Sequence, residues 1–193
     1  MRRERSIDPD YFEALFREKG DPWDFETSDY EAAKYDHTIA ALPRTDYAAA
    51  LEVGCANGVL TRRLAPLCRD LLAVDVSETA LAAARARCAG LEQVRFERRQ
   101  LPADQPAGRF DLMLLSEVVY YWDADDVRRM ADYVADAVRP GGDILLVHWT
   151  GLTDYPLSGD DAVELLRESL GERVGPLHHD RREAYRLDLW RRS

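Results

Sequence analysis

The sequence is poor in lysine, cysteine and long apolar runs. Only Lys19 and Lys34 are lysines among 26 basic residues, which we attribute to coding bias. Three cysteines, Cys55, Cys68 and Cys88, are odd in number and lack metal-ligand spacing, so neither a disulfide framework nor a metal site is expected. No run approaches the ~18 apolar residues that indicate a membrane span. With no apolar signal segment near the start, we expect a cytoplasmic protein that does not act at membranes.

An excess of positive charge is also missing. The formal net charge is -10, and a net anion is a poor partner for nucleic acid or acidic membrane surfaces. A length of 193 residues with 46% hydrophobic and 32% charged residues is typical of one globular domain. We therefore expect a single domain over residues 1–193 that acts on a small molecule, in an oligomeric state that the sequence leaves open.

Short apolar segments alternate with helical patterns along the middle of the chain. Leu71–Asp75 and Phe110–Leu115 are typical of buried parallel strands, while 78–88 and 124–138 have helical spacing. This alternation predicts a doubly wound α/β sheet. In such sheets ligands bind at the carboxyl ends of the strands, so the loops that follow the strands are the places to look for a site.

The loop after the first predicted strand carries Glu52, Gly54 and Gly58, and it leads into a helix. A strand, a glycine turn and a helix aim backbone N–H groups at a ligand. Asp75 ends the next strand, 75 − 54 = 21 residues after Gly54. That is close to the spacing of the acid that binds ribose in dinucleotide-type folds.

Two features of this loop indicate which of two ligand types, a dinucleotide or a cationic nucleoside, it binds. Glu52 would repel a pyrophosphate but attract a cationic ammonium or sulfonium, or orient the loop that does so. The glycines stand at Gly54 and Gly58, which is not the G-x-G-x-x-G spacing of a dinucleotide site. The loop therefore favours a cationic nucleoside over NAD.

Glu52 to Gly58 followed by Asp75 resembles the first two motifs of class I S-adenosylmethionine-dependent methyltransferases. The segments 21–23, 116–121 and 140–142 resemble those of nodulation protein S, the rhizobial N-methyltransferases of chitooligosaccharide amines. The likeness at class level covers about residues 45–149. It implies a Rossmann-like seven-stranded sheet with a C-terminal antiparallel hairpin and N-terminal lid helices.

The resemblance, with the strand-end rule, implies a set of cofactor contacts. In it Asp75 holds the ribose hydroxyls, and Gln100 with Leu101 borders adenine. Ala56 stands where the family usually has glycine, and Arg99-Gln100 where it usually has an acid. The implied cofactor-binding residues are Trp23, Tyr30, Lys34, Tyr35, Glu52, Gly54, Cys55, Ala56, Gly58, Asp75, Val76, Gln100, Leu101, Ser116 and Glu117.

Three parts of the chain have different expected roles. Residues 1–43 contain two predicted helices, 8–19 and 29–41, which either pack on a sheet edge or form a lid over the cofactor. In the lid interpretation Trp23, Tyr30 and Tyr35 cover the cofactor, and Lys34 pairs with its carboxylate. Residues 44–149 form the cofactor-binding core, and 150–193 form a closing helix and hairpin.

Four residues after the fourth and fifth strands are candidates for catalysis. Glu117 could act as a base or bind a substrate ammonium, or it could simply satisfy loop N–H groups. Tyr120 and Tyr121 are adjacent, so one should face the core and the other the cleft. His148 is expected at the mouth of the crevice, as a base or as a structural residue. His178 and His179 are expected on the turn of the final hairpin.

The predicted function is methyl transfer from S-adenosylmethionine to a small-molecule acceptor, with S-adenosylhomocysteine as product. The resemblance favours the amine of a sugar or sugar-like metabolite. An O-methyltransferase is the alternative, with His148 more clearly needed as base. An NAD-dependent oxidoreductase or a noncatalytic cofactor-binding protein stays open, although Glu52 argues against the former.

Overall fold

The computed structural model describes residues 2–193, so the sequence-based expectation for residue 1 lies outside it. The described residues include six α-helices: α1 Pro9–Lys19, α2 Asp29–Ala40, α3 Val59–Leu64, α4 Glu78–Arg87, α5 Ala124–Ala137 and α6 Gly159–Leu170. They also include seven strands: β1 Ala50–Val53, β2 Leu71–Asp75, β3 Val94–Arg98, β4 Phe110–Ser116, β5 Val138–Trp149, β6 Val174–Arg181 and β7 Tyr185–Arg192.

The strands form one mixed sheet with the order β3-β2-β1-β4-β5-β7-β6. β2 pairs in parallel with both β1 and β3, and β4 pairs in parallel with β5. β7 is antiparallel to β5 and to β6, so the last two strands form a hairpin. The predicted α/β fold class, with its C-terminal antiparallel hairpin, is confirmed.

Helix starts are set by side-chain caps that the sequence carries. Asp8, Ser28, Ser77, Asp123 and Ser158 precede five of the helices, and each side chain accepts a bond from an N–H of the first turn. Such caps satisfy N–H groups that have no partner inside the helix. Short polar residues at these positions therefore determine where the five helices begin.

The chain divides into two compact units, and residues 8–100 make up one of them. It contains β1 to β3 and α1 to α4. Every residue of β1 and β2 is buried, as expected of strands covered on both faces. Leu81 and Ala84 of α4 are buried as well. This unit holds the glycine loop and Asp75.

Residues 2–7 together with 101–193 make up the other unit. Its core lies along 112–115 of β4 and 144–147 of β5, whose side chains are all fully buried. The antiparallel partner β7 contributes Leu187, Leu189 and Trp190 to the buried set. This unit holds Glu117, its two tyrosine neighbours and His148.

Two expectations about the second unit were wrong. The sequence of Pro140-Gly141-Gly142 predicts a tight turn before a strand that begins at Ile144, but β5 already starts at Val138. The register against β4 shifts there, and Gly141 has a φ of 77°, so the segment is a bulge inside the strand. His178 and His179 lie within β6 rather than on the turn, since pairing with β7 continues to Arg181.

Candidate functional site

The loop after β1 is built from left-handed backbone. Gly54, Ala56 and Gly58 have φ values of 76°, 49° and 79°. Such values suit glycine because a Cβ meets the following carbonyl there. At Gly58 an added Cβ would also lie 2.9 Å from Cα of Ala84, so the loop packs directly on α4. The sequence spacing of the two glycines therefore reflects both backbone conformation and close packing.

Ala56 shares the left-handed conformation of the two glycines. The residue is left-handed although it carries a Cβ. Its N–H donates to Oδ2 of Asp75 at 2.9 Å, and that bond holds the loop in the strained conformation. An alanine is therefore accommodated at this position in spite of the backbone strain.

Asp75 is fixed by backbone donors on both sides. Oδ2 accepts from the N–H of Ala56, and Oδ1 accepts from the N–H of Ser77 at 2.9 Å. Burial raises the pKa of the Asp75 carboxyl, and the two backbone bonds act in the opposite direction. Each carboxylate oxygen can accept more than one bond, so a carboxylate held in one rotamer can still receive two hydroxyl groups.

Glu52 is an acid in an almost waterless place. It is 1% exposed, and burial raises its pKa from 4.5 to about 8. The hydroxyl of Thr61 lowers that pKa, while the carboxylate of Asp75 raises it further. Its Oε2 atom accepts no hydrogen bond from any residue between 2 and 193. A buried acceptor of this kind fits the ammonium group of a ligand.

Asn57 is a second buried acceptor in the same loop. Its side-chain Oδ1 has no hydrogen-bond partner within the described part of the chain. The amide Nδ2 donates to Oε1 of Glu26 at 3.3 Å, and Arg87 contacts the same glutamate. Glu26 therefore orients the amide so that Oδ1 points elsewhere. Asn57 was not among the site residues predicted from the sequence, although its place between the two loop glycines was a usable signal.

The aromatic residues of the N-terminal segment pack on one another. The ring of Trp23 lies 5.7 Å from that of Phe16 and 5.5 Å from that of Phe25. Phe25 in turn lies 6.4 Å from Tyr35, which is buried. These contacts order the connection between α1 and α2. Roles of Trp23 and Tyr35 as a cofactor cover stay predictions.

Lys34 is buried and engaged on its own helix. Its Nζ lies 3.0 Å from Oε1 of Glu31 and 5.2 Å from the ring centre of Tyr30. Tyr30 itself is exposed. The predicted pairing of Lys34 with a cofactor carboxylate would compete with the ion pair to Glu31, and it stays a prediction.

Other predicted cofactor contacts differ in their surroundings. Cys55 is buried beside the loop, and burial raises its thiol pKa well above the usual value. The carbonyl of Val76 accepts from Nε of Arg98 at 2.9 Å. Gln100 is exposed, whereas Leu101 is buried. A hydrogen bond from adenine to Gln100 stays a prediction.

In the second unit, Glu117 follows Ser116 at the end of β4. Its φ of 56° turns the chain sharply after the strand. Its Oε2 accepts from the backbone N–H of Trp149 at 2.8 Å and from the hydroxyl of Tyr120. Left-handed backbone at a non-glycine residue is uncommon and is often found at functional sites. The carboxylate is thus held in a defined orientation at the ends of β4 and β5.

Tyr120, which donates to that carboxylate, packs with two further tyrosines. The ring of Tyr155 stacks on that of Tyr120 with centres 5.2 Å apart and meets Tyr121 edge-on at 4.7 Å. Burial raises the pKa of the Tyr120 and Tyr121 hydroxyls well above their usual value, so both stay protonated. Tyr155 was not among the residues predicted from the sequence, because it lies in the loop 151–158, which carries no recognisable motif.

His148 does not lie at a crevice mouth. It is fully buried, and its Nε2 accepts from the N–H of Val119 at 3.1 Å. That bond requires a neutral imidazole with its proton on Nδ1. The ring also packs edge-on against Tyr120 at 5.3 Å. The expected place at the crevice mouth was wrong, because Val119 and Tyr120 of the segment after β4 pack against the His148 ring. A role for His148 as base stays a prediction that its surroundings do not favour.

Among the described residues no helix is long and apolar enough to cross a membrane.

Comparison with known proteins gives a family match. The sequence model of the nodulation protein S family, "Nodulation protein S (NodS)", matches residues 13–146. Nodulation protein S of Bradyrhizobium diazoefficiens is 37% identical over 102 residues, which are 52% of this chain and 49% of that protein. The chain thus spans about half the length of this curated relative.

Solved structures agree in fold. A presumed methyltransferase from Pseudomonas syringae is 39% identical, with a TM-score of 0.74 over 84% of this chain and 99% of that one. The N-methyltransferase NodS of Bradyrhizobium japonicum, in complex with S-adenosylhomocysteine, is 22% identical with a TM-score of 0.82. That match covers 96% of this chain and 99% of the other. At this identity the second structure supports the fold alone.

Proposed function

The chain belongs to the nodulation protein S family, as its sequence predicted, and we propose that it transfers a methyl group from S-adenosylmethionine to an amine of a sugar or sugar-like small molecule. The observation that carries the choice of acceptor is Glu117, a carboxylate held at the strand ends among tyrosine rings. S-adenosylmethionine supplies a methyl group on a cationic sulfonium.

The first unit supplies the residues for the cofactor. Glu52 and Asn57 offer buried acceptor oxygens to the ammonium of its methionine part. Asp75, fixed by two backbone N–H groups, receives the ribose hydroxyls. Because binding of a cation favours the ionised form of a nearby carboxyl, the pKa of Glu52 should fall when the ammonium is bound. These residues fit a cationic nucleoside better than a pyrophosphate.

The second unit supplies the residues for the acceptor. An ammonium is attracted by a carboxylate and by the faces of aromatic rings, the latter by about 0.5–2 kcal/mol. Glu117 supplies the carboxylate, and Tyr121 and Tyr155 supply the aromatic rings. Tyrosine rings also stack on the apolar faces of sugars. A sugar amine thus matches this group of residues more fully than a hydroxyl does.

Positioning is the larger part of the proposed catalysis. Alignment of two reacting groups can supply as much as ~7–11 kcal/mol, more than a general base does. Trp149 and Tyr120 both donate to Oε2 of Glu117, which fixes where an ammonium can sit. Glu117 would then take the proton that the amine must lose, which leaves the nitrogen lone pair free for the methyl group that bound S-adenosylmethionine would supply on release of S-adenosylhomocysteine.

The test is transfer of a labelled methyl group to matched acceptors. Glucosamine oligomers with a free amine should be methylated, and their fully N-acetylated counterparts should not. Glu117→Gln should lower kcat/KM for the amine by roughly 100-fold, in line with loss of general base help. Glu168→Gln, an exposed glutamate of α6, is the matched control and should leave kcat/KM unchanged. Equal methylation of both acceptors would contradict the amine and favour the hydroxyl alternative.

A further inference from the structure

Glu13, on α1, binds the turn that follows Asp75. Its Oε2 accepts from the hydroxyl of Ser77 at 2.8 Å and from the N–H of Thr79 at 3.1 Å. Its Oε1 accepts from the hydroxyl of Thr79 at 2.6 Å. One carboxylate thus takes three donors from a single turn, and none of the sequence patterns pointed to it.

These bonds cap α4 from outside the helix. Ser77 is the cap residue of α4, and its Oγ accepts from the N–H of Ala80. The backbone N–H of Thr79, the residue before Ala80, has no acceptor inside the helix, and the carboxylate of Glu13 accepts its hydrogen bond. An anion at this end is also favoured by the helix dipole. The bonds from Thr79 and Ser77 lower the pKa of Glu13 to about 2, so it is ionised at any working pH.

Ser77 connects Glu13 to the proposed ribose-binding acid. Because its Oγ already accepts from Ala80, its single hydroxyl hydrogen is directed at Glu13. Its backbone N–H donates to Oδ1 of Asp75. Asp75 in turn accepts the N–H of Ala56 in the glycine loop. A continuous series of hydrogen bonds therefore runs from α1 through the turn to Asp75 and the loop.

We propose that Glu13 is a positioning residue for cofactor binding, which fixes the Asp75–Ser77 turn so that Asp75 meets the ribose hydroxyls in one rotamer. This inference rests on the proposed function, because it presupposes a ribose-bearing cofactor at Asp75. Glu13 itself contacts neither the cofactor nor the acceptor in this assignment. Its loss should therefore affect recognition of the ribose more than the rate of methyl transfer.

The experiment is a comparison of two ligands on two variants. Titration of the purified full chain with S-adenosylhomocysteine and with its 2′-deoxy analogue gives the preference for ribose as a ratio of two Kd values. In Glu13→Gln an amide NH₂ group replaces one of the two carboxylate oxygens, so only one acceptor oxygen remains for the three donors of the turn. We expect the Kd for S-adenosylhomocysteine to rise roughly tenfold, as for a charge-assisted hydrogen bond, with most of the ribose preference lost.

Three variants act as controls. Glu18→Gln changes an exposed glutamate of the same helix and should leave both Kd values unchanged. Thr79→Val removes the hydroxyl donor and should resemble Glu13→Gln, whereas Thr79→Ser keeps it and should resemble the unmodified protein. At saturating S-adenosylmethionine, kcat of Glu13→Gln should stay within about twofold of the original value. The substitution weakens cofactor binding equally in the ground state and in the transition state, so it changes KM rather than kcat.

The outcomes separate this inference from the proposed function. If the unmodified chain does not bind S-adenosylhomocysteine, the proposed function itself fails. If it binds, but Glu13→Gln keeps the ribose preference or weakens both ligands equally, Glu13 is only a structural cap and the inference is overturned. Should Glu13→Gln fold poorly, the Thr79→Val and Thr79→Ser pair decides the same question at the other end of the contact.

Discussion

At the scale of single residues, Glu52 combines burial, an unsatisfied oxygen and a pKa raised to about 8. In the unfolded chain this carboxyl ionises near 4.5. Since the folded state binds the proton more tightly, stability is lost as the pH rises from about 4.5 through about 8, and stays at the lower level above that. The residue thus costs stability at neutral and alkaline pH, a feature typical of a functional group.

Glu52→Gln should therefore separate stability from binding. The variant lacks the ionisation penalty, so its Tm should exceed that of the unmodified protein by a margin that widens from pH 5 to pH 8. Affinity for S-adenosylhomocysteine should fall at least tenfold, because a charge-assisted bond to the ammonium is lost. Thermal unfolding and calorimetry measure the two effects. A margin that narrows as the pH rises would contradict the assigned burial of the charge.

Gly58 offers a second test at this scale. Gly58→Ala and Gly90→Ala both place a Cβ on left-handed backbone, at φ values of 79° and 87°. That strain costs roughly 1–2 kcal/mol at either position. Only at Gly58 would the Cβ also lie 2.9 Å from backbone of Ala84, whereas nothing lies within 4 Å at Gly90. Chemical denaturation should therefore show a larger loss for Gly58→Ala, and only that variant should bind S-adenosylhomocysteine less well. Equal losses would contradict the packing of the loop on α4.

At the scale of elements, an ion network with a buried Arg186–Asp188 pair joins β7 to exposed acids of α6. The guanidinium of Arg186 pairs with both oxygens of Asp188, and it also contacts Asp160 and Glu164 of α6. Arg186 and Asp188 are each buried, and Nδ1 of His179 lies 2.9 Å from the same aspartate. A buried charge is tolerated only while its partner remains.

Replacing one partner should cost more than replacing both. Arg186→Met leaves Asp188 buried with its main counter-charge removed, and the free energy of unfolding should fall by about 3–5 kcal/mol. The double variant Arg186→Met with Asp188→Leu should recover most of that loss. Urea denaturation measures both. A double variant less stable than the single one would show that the network contributes more than the desolvation it requires.

The boundaries of β5 and β6 are two features that the sequence patterns predicted incorrectly. The start of β5 was misplaced because Pro140-Gly141-Gly142 is typical of a turn, and a bulge inside a strand uses the same residue types. His178 and His179 were placed on a turn for a similar reason. They extend the strand, since pairing with β7 decides where β6 ends and that pairing is a long-range contact.

At the scale of the whole molecule, the α/β class of the sheet followed from alternating apolar and helical patterns, whereas the order of its strands was not predicted. The positions of the glycine loop and of Asp75 at the strand ends followed as well, because glycine spacing and a strand-end acid are local signals, and their binding of the cofactor stays a prediction. The places of Asn57, Tyr155 and Glu13 in the site were not predicted from the sequence. The contacts of Tyr155 and Glu13 join segments between about 30 and 70 residues apart, and no local periodicity encodes such contacts.

The central claim concerns the whole chain as a binder of a cationic nucleoside. Its most direct test is calorimetric titration of the purified protein with S-adenosylhomocysteine and, separately, with NADH, alongside Asp75→Ala. We expect tight binding of S-adenosylhomocysteine and no binding of NADH. In Asp75→Ala the binding of S-adenosylhomocysteine should weaken at least tenfold, because charge-assisted hydrogen bonds to the ribose are lost. Binding of NADH with no response to S-adenosylhomocysteine would contradict the roles of Glu52 and Asp75 and the methyl transfer that rests on them.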